Sequence, residues 1–180
     1  MRIPQSHARW YASAVMSAHA HRQHGPTHVG CGVITVSDTR TEATDRSGAT
    51  IRELLAANGH RVEWYQILKD EPEMIAQAVR TAPPSAEVLI LNGGTGVARR
   101  DTTYEAISRL LDKEIGGFGE LFRMLSYEQI GAAAMLSRAT AGVVGKHVIF
   151  SLPGSTAAVE LAMNKLILPE LGHVVGLVRG

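Results

Sequence analysis

The sequence predicts a three-layer α/β/α domain with a largely parallel central sheet. Three observations lead to this fold class. Apolar, β-branched runs alternate with amphipathic helical segments, the runs end in small or hydroxyl residues, and the chain has 180 residues, which suits one domain. Runs that are apolar throughout are typical of strands whose two faces are both covered by helices.

The composition is that of an ordinary globular protein. The formal net charge of +1 gives no case for binding nucleic acid or an anionic membrane. The single cysteine, Cys31, excludes an intramolecular disulfide and a cysteine-based metal site, and its apolar surroundings predict an inert buried thiol. No apolar run approaches the roughly 20 residues that span a bilayer, and a signal-peptide pattern is absent. We therefore expect a cytoplasmic protein.

Residues 1–28 are predicted to be an N-terminal extension, and residues 29–180 the α/β domain. The stretch from Trp10 to Ala20 is compatible with a helix, and its apolar residues predict packing against a partner such as a neighbouring subunit. A histidine-rich stretch follows, which raises the alternative of a metal site. Irregular spacing and the lack of acidic or cysteine partners favour a flexible tail instead. The histidines are His19, His21, His24 and His28.

The first half of the domain is predicted to be strand, helix, strand, helix, strand. The run VGCGVITVS is the first strand, and ATIRELLAANGH is a helix that Asn58 and Gly59 end. RVEWYQIL is the second strand. The next helix, EPEMIAQAVRTA, is expected to have Asp70 as N-cap and Pro72 in its first turn. EVLILN is the third strand.

The second half contains one more predicted strand. TTYEAISRLL is expected to be a helix with Thr102 or Thr103 near its cap. The segment from Gly117 to Gly142 is interpreted as a glycine-hinged loop followed by a helical run. KHVIFSLPGS is a strand that ends in a Pro-Gly turn, and STAAVELAMNKLILPEL is a helix that packs on the sheet.

The clearest candidate site follows the third strand. In open α/β sheets ligands bind at the carboxyl ends of strands, and the segment Gly93, Gly94, Thr95, Gly96 would expose N–H groups that suit a phosphate. It matches neither the Walker A motif nor the dinucleotide fingerprint. A tight turn without a ligand is the alternative.

Charged residues beside this turn favour a phosphate site. Arg99 and Arg100 supply cations, while Asp101 and Asp70 supply carboxylates that suit Mg²⁺. Helix capping is the alternative interpretation of both aspartates.

Five segments, in order along the chain, resemble the molybdopterin-binding MoaB/MogA family of molybdenum cofactor biosynthesis proteins, particularly its MoaB-type members. The resemblance runs from about Val29 to the C-terminus. The segments are VITVSDTR with DRSG, LNGGTGVARRDTTYEA, GFGELFRMLSYEQIG, LSRATAG and LPGST.

The resemblance implies a trimer, or a hexamer of two trimers, and a catalytic activity. Active members transfer AMP from Mg-ATP to the terminal phosphate of molybdopterin. By resemblance, Asp70 and Asp101 match the two acidic residues associated with catalysis, and they would hold Mg²⁺ through ATP. Some MoaB-type proteins lack this chemistry, and retention of both aspartates favours activity.

The remaining site residues follow from the same segments. The nucleotide phosphates would lie on the glycine turn beside Arg100, with the pterin near Ser37 and Asp38. Ser137, in the LSRATAG segment, is expected to join the binding site. Three further residues would close the nucleotide side, and which loop takes which half of the substrate stays open. These are Pro153, Gly154 and Ser155.

Three alternatives to adenylylation remain open at this point. One is a non-catalytic molybdopterin carrier, and another is an assembly or trafficking protein with a vestigial pocket. The third is an unrelated phosphate-sugar enzyme, which the ordered segments do not favour. A further partner that the resemblance implies is the enzyme that inserts molybdate.

Overall fold

A computed structural model describes residues 25–180. The predicted helical stretch from Trp10 to Ala20, and the histidines at 19, 21 and 24, lie outside the described residues. Six strands form one sheet in the order β2-β1-β3-β6-β5-β4. They are β1 (Gly30–Val36), β2 (Arg61–Leu68), β3 (Val88–Asn92), β4 (Lys113–Glu114), β5 (Thr140–Val144) and β6 (His147–Leu152).

The prediction of a largely parallel sheet is confirmed. Strands β2, β1, β3 and β6 are parallel neighbours, whereas β5 pairs antiparallel with both β6 and β4. Every residue of β1 and β3 is buried, as expected for central strands covered on both faces. The carboxyl ends of β1, β3 and β6 therefore meet at one edge of the sheet.

Six helices cover the two faces. A short 3₁₀ turn, Glu42–Thr44, precedes the first helix, and another, Gly131–Leu136, follows the fourth. A π-helical turn, Met163–Ile167, joins the last two helices. The helices are α1 (Arg46–Ala57), α2 (Pro72–Arg80), α3 (Thr103–Ser108), α4 (Gly116–Ile130), α5 (Thr156–Ala162) and α6 (Leu168–Arg179).

Two separate apolar clusters show that the fold has three layers. On one face the sheet packs against α1, α4, α5 and α6, through side chains such as Ile51, Phe122 and Leu171. On the other face it packs against α2 and α3, through Ile75 and Ile107. Alternate residues of the central strands supply the two clusters, because successive side chains of a strand point to opposite faces. The predicted three-layer α/β/α fold is confirmed.

The segment from Gly117 to Gly142 differs from its sequence-based interpretation. Gly117 and Gly119 do not form a hinged loop, because α4 begins at Gly116 and runs through both of them. The buried ring of Phe118 packs edge-on against Phe150 of β6, with ring centroids 5.2 Å apart, and this contact anchors the first turn. Residues 140–144, not predicted as a strand, form β5 by pairing with β6.

The last helices form one continuous helical stretch that is apolar. Thr156–Arg179 has 24 residues and contains an 18-residue window with a mean hydropathy of 1.3, so by length and composition it could cross a bilayer. Its buried residues, including Val159, Ile167 and Leu171, pack in the core cluster on one face of the sheet. The stretch therefore packs as a core helix of this domain.

Candidate active site

A cavity of about 620 Å³ opens where β1, β3 and β6 end. Most of the site residues that were predicted from the sequence line it, although they come from four separate segments of the chain. Those that line the cavity are Ser37, Gly93, Gly94, Thr95, Gly96, Asp101, Ser137, Pro153, Gly154 and Ser155. The fold therefore brings most of the predicted site together.

The turn after β3 requires glycine at two positions. Gly93 has φ of +105° and Gly94 has φ of +63°, in the region that side chains disfavour. A Cβ atom on Gly93 would lie 2.2 Å from the carbonyl oxygen of Val36, and one on Gly94 would lie 2.3 Å from Oδ2 of Asp70. The backbone of this turn therefore packs directly against β1 and the loop after β2.

Asp70 lies close to Gly94 and Asp101 close to Gly96, but of these two predicted catalytic residues only Asp101 lines the cavity. Oδ1 of Asp70 accepts hydrogen bonds from the N–H and hydroxyl of Thr102, at 3.1 and 2.8 Å. Oδ2 of Asp101 accepts a bond of 3.3 Å from the N–H of Ala98. It would be 2.5 Å from a Cβ on Gly96.

Neither aspartate is a helix N-cap. The N-cap of α2 is Glu71, so the prediction that Asp70 caps this helix is wrong, although Pro72 does lie in its first turn. Thr102 is the N-cap of α3, so Asp101 does not cap that helix either. The Asp70 carboxylate binds Thr102 instead, because β2 and β3 flank β1 as parallel neighbours and the loops at their carboxyl ends meet beyond its end.

Asp38 and Arg100 lie outside the lining of the cavity and connect its loops. The two side chains form an ion pair. Oδ1 of Asp38 also accepts a 3.2 Å bond from the N–H of Asp70. These contacts join the loop after β1 to the loops after β2 and β3. Asp38 and Arg100 therefore position the cavity walls in this structure.

A buried carboxylate, Asp45, lies beneath the cavity and was not identified from the sequence. Its side chain accepts hydrogen bonds from the hydroxyls of Thr35 (2.5 Å) and Tyr65 (2.8 Å) and from the N–H of Gly48 (3.0 Å). Burial alone would raise the pKa of Asp45, but these hydrogen bonds outweigh it and lower the pKa below its usual value. Asp45 is therefore a buried anion.

Arg40 and Asn92 connect this buried network to the cavity. Arg40 donates to the hydroxyl of Ser47 (2.6 Å) and to the carbonyl of Gly154 (3.1 Å), and its side chain is 34% exposed. The Asn92 amide donates to the Thr35 hydroxyl at 2.9 Å, and its carbonyl accepts from Ser47 at 2.7 Å. Arg40 therefore supplies a cation to the cavity.

One wall of the cavity is apolar. Side chains of α4 and of the 3₁₀ turn after it lie opposite the strand ends, with Ser126 as a polar exception. Apolar walls with a few polar groups are typical of sites that bind a flat organic ring. The apolar lining residues are Phe122, Ile130, Ala133 and Leu136, with Ala158 from α5.

Comparisons with known proteins agree with this site. A family model described as "Probable molybdopterin binding domain" matches residues 32–173. The chain belongs to the molybdopterin-binding domain family. It is 57% identical, over 162 residues, to "Molybdenum cofactor biosynthesis protein B" of Bacillus cereus, with 88% of this chain and 96% of that protein covered.

Solved structures of family members have the same fold. A crystal structure of a "Molybdenum cofactor biosynthesis protein B" matches with a TM-score of 0.83 and 56% identity, over 86% of this chain and 98% of that one. The tungsten cofactor synthesizing protein MoaB from Pyrococcus furiosus matches with a TM-score of 0.77 and 41% identity, over 86% and 99%. The predicted resemblance to the MoaB/MogA family is confirmed, and the chain is a molybdenum cofactor biosynthesis protein of this kind.

The family match covers the residues that sequence reasoning missed as well as those it found. Arg40 and Asp45 stand in the quoted segments VITVSDTR and DRSG, and Asn92 stands in LNGGTG. Asp45 also caps α1 through its bond to Gly48, so a local interpretation would have assigned it a capping role alone. In the sequence, Arg40, Asp45 and Asn92 could have been recognised from their positions within the segments that resemble the family.

Proposed function

We propose that this protein adenylylates molybdopterin with Mg-ATP. The observation that carries the proposal is the glycine turn, whose backbone lines the cavity together with Asp101 and Arg40, while Asp70 lies close to Gly94. Nucleotidyl transfer requires little covalent chemistry from a protein and depends on positioning and charge stabilisation. Backbone N–H groups, a cation and nearby carboxylates supply both.

In the proposed reaction, a terminal phosphate oxygen of molybdopterin attacks the α-phosphorus of ATP. The new P–O bond forms as the bond to the β-phosphate oxygen breaks, and pyrophosphate leaves with that electron pair. The N–H groups of Thr95 and Gly96 would bind phosphate oxygens, while Arg40, which also lines the cavity, would stabilise their negative charge. The residues after β6, Pro153, Gly154 and Ser155, would hold the nucleotide.

The donor set around the turn fits a magnesium ion that arrives with ATP. Within residues 25–180 no group of three or more His, Cys, Asp or Glu residues could hold a metal by itself. Mg²⁺ commonly uses one or two carboxylates and completes its shell with phosphates and water. Oδ2 of Asp70 and the Asp101 carboxylate would supply those ligands, and the ion would neutralise charge on the phosphates.

The pterin end of the substrate suits the other part of the cavity. The apolar wall from α4 could cover one face of the pterin ring, beside Ser37 at the end of β1. The proposed use of ATP, together with a single buried cysteine, suits a cytoplasmic protein. The molybdate-inserting enzyme would then receive the adenylylated pterin.

The proposal is tested by pyrophosphate release with molybdopterin and Mg-ATP present together. Asp101→Asn keeps an acceptor for the Ala98 N–H but removes the charge, so release should fall by roughly 100-fold or more with the melting temperature unchanged. The control Asp112→Asn alters an exposed hairpin carboxylate, bound only to the Gly145 N–H at 2.7 Å, and should release pyrophosphate normally. Pterin binding without any release would instead support the carrier.

We also propose that the protein assembles as a homotrimer or homohexamer, as the family resemblance implies. Among the described residues, α4 and the 3₁₀ turn after it expose a row of apolar side chains, including Tyr127 at 64% and Met135 at 77%. Such a patch is typical of an interface. Light scattering at micromolar concentration should give three or six chains, whereas a monomer would contradict the proposal. The patch is Leu121, Met124, Tyr127, Ile130, Met135 and Leu136.

A further inference from the structure

One arginine, Arg138, binds the carbonyl groups of the glycine turn and lies outside the cavity lining. It lies between the 3₁₀ turn after α4 and β5. Its guanidinium donates to the backbone carbonyls of Thr95 (3.2 Å), Gly96 and Asp101 (3.1 Å). A single planar group therefore binds three carbonyls within the loop that leads from β3 to α3.

Two side chains of α3 hold Arg138 in place. Its remaining terminal nitrogen donates to the carboxylate of Glu105, which forms an ion pair with it. Its guanidinium carbon also lies 5.0 Å from the ring centroid of Tyr104, which is a cation–π distance. Because Glu105 pairs with the charge on this side, Arg138 is not available to bind a ligand phosphate directly.

The planarity of the peptide bond gives these contacts a consequence for the cavity. In a trans peptide, the carbonyl of one residue points opposite to the N–H of the next, and no cis peptide occurs in the described part of the chain. The carbonyls of Thr95 and Gly96 point toward Arg138, so the N–H groups of Gly96 and Val97 point away from it. The Gly94 carbonyl points toward Thr103, because it accepts a 3.0 Å hydrogen bond from the N–H of that residue. The N–H of Thr95, in the same peptide group, therefore points away from Thr103.

These three N–H groups are free donors, and two of them, those of Thr95 and Gly96, belong to residues that line the cavity. Those of Thr95, Gly96 and Val97 donate no hydrogen bond to any atom of residues 25–180. Gly94, Thr95 and Gly96 line the cavity, and Arg138 does not. Successive unpaired N–H groups of this kind form a concave anion site.

We propose that Arg138 is a positioning residue that orients the N–H groups of the glycine turn toward the phosphates of the nucleotide. This proposal rests on the proposed function of the same cavity. Arg138 acts by binding the carbonyl side of the loop, so the N–H side is oriented before the ligand arrives. When the loop of a binding site is already ordered, binding does not have to supply the free energy that ordering the loop would cost.

The test compares Arg138→Met and Arg138→Lys with the control Arg80→Met, which alters an exposed arginine in the last turn of α2. Lysine keeps the charge but lacks the planar fork that reaches three carbonyls, so it should behave like methionine rather than like arginine. The first measurement is amide hydrogen exchange without substrate. Exchange at Ala98, Asp101 and Thr103, whose N–H groups are bonded within this loop, should speed up by about 10-fold or more in both Arg138 variants.

The second measurement separates KM from kcat. Loss of the oriented donors in Arg138→Met and Arg138→Lys should raise KM for Mg-ATP by about 10- to 100-fold with a smaller fall in kcat. A variant that is merely misfolded would lose kcat with KM unchanged, and that result would overturn the proposal.

The two proposals fail in different ways. If the wild-type protein releases no pyrophosphate, adenylylation is wrong, while amide exchange and binding of Mg-ATP still test the role of Arg138. If Arg138→Met shows wild-type exchange and wild-type KM, Arg138 has no positioning role, whether or not the protein is an adenylyltransferase.

Discussion

Replacing Asp45 by asparagine tests the buried network beneath the cavity. Asp45 is 2% exposed, and each of its carboxylate oxygens accepts more than one bond. Oδ2 accepts from the hydroxyls of Thr35 and Tyr65, while Oδ1 accepts from the Gly48 N–H and faces Arg40 at 3.4 Å. An asparagine amide replaces one of these oxygens by an NH₂ group, which donates instead of accepting.

The magnitude follows from the donors that are left without an acceptor. The less costly orientation places NH₂ on the hydroxyl side, because a hydroxyl can rotate to accept but an N–H cannot. Each stranded buried donor costs about 1–3 kcal/mol, so Asp45→Asn should reduce the free energy of unfolding by about 2–4 kcal/mol. At about 2–4 °C per kcal/mol for a domain of this size, the melting temperature should fall by about 5–15 °C.

The pH dependence of the free energy of unfolding gives a second, independent test of the Asp45 network. The pKa of Asp45 is lowered in the folded protein, so its ionised form stabilises the fold at pH values above the unfolded pKa of about 3.9. That contribution is lost as the pH falls through the folded pKa. The stability difference between wild type and Asp45→Asn should therefore be full at pH 7 and shrink below about pH 4.

Urea denaturation at a series of pH values measures both effects. The control is Asp112→Asn, whose single bond from Gly145 an asparagine oxygen can keep, and its stability should change by less than about 1 kcal/mol. Equal stability of wild type and Asp45→Asn, or a difference that stays constant into acid, would refute the argument that this carboxylate is a buried, hydrogen-bonded anion.

Three further predictions concern the turn, the second carboxylate and the cysteine. Gly94→Ala should weaken Mg-ATP binding and lower the free energy of unfolding by about 1–3 kcal/mol, because φ at this residue is +63° and the new Cβ would overlap Asp70. A variant with wild-type melting temperature and wild-type Mg-ATP binding would contradict this prediction. Asp70→Asn should lower pyrophosphate release as Asp101→Asn does, and normal release would remove Asp70 from the metal side. Burial raises the pKa of Cys31 to about 12, so iodoacetamide should not label the folded protein at pH 8, and Cys31→Ala should keep its turnover.

The fold could be predicted from the sequence where the pattern is local. The central strands are mostly apolar and fully buried, and α1 ends at Ala57 with Asn58 as its C-cap, as the Asn-Gly signal predicts. Strand β5 was missed because its two glycine-flanked valines give no periodicity, and its pairing with β6 is a long-range choice. The glycines of α4 were misread because burial of Phe118 outweighs their weak helix propensity.

The site could be predicted only in part, for a related reason. Strand-end residues such as the glycine turn and Ser155 have a signal in topology, since carboxyl ends of parallel strands meet. Asp38, Asp70 and Arg100 carry the same signal, yet none of the three lines the cavity, and Asp38 and Arg100 pair with each other. Arg138 comes from a segment more than 30 residues away, and only the three-dimensional fold shows that it reaches the loop carbonyls.

The central claim is that this protein transfers AMP to molybdopterin. The most direct measurement incubates the purified protein with molybdopterin, Mg²⁺ and ATP labelled at the α-phosphate, and then examines the pterin by mass spectrometry and for label. The account predicts a pterin heavier by one adenylyl group that carries the α-label, with pyrophosphate formed in equal amount and no product without Mg²⁺. A pterin that binds the wild-type protein but stays unlabelled and unchanged in mass would contradict it.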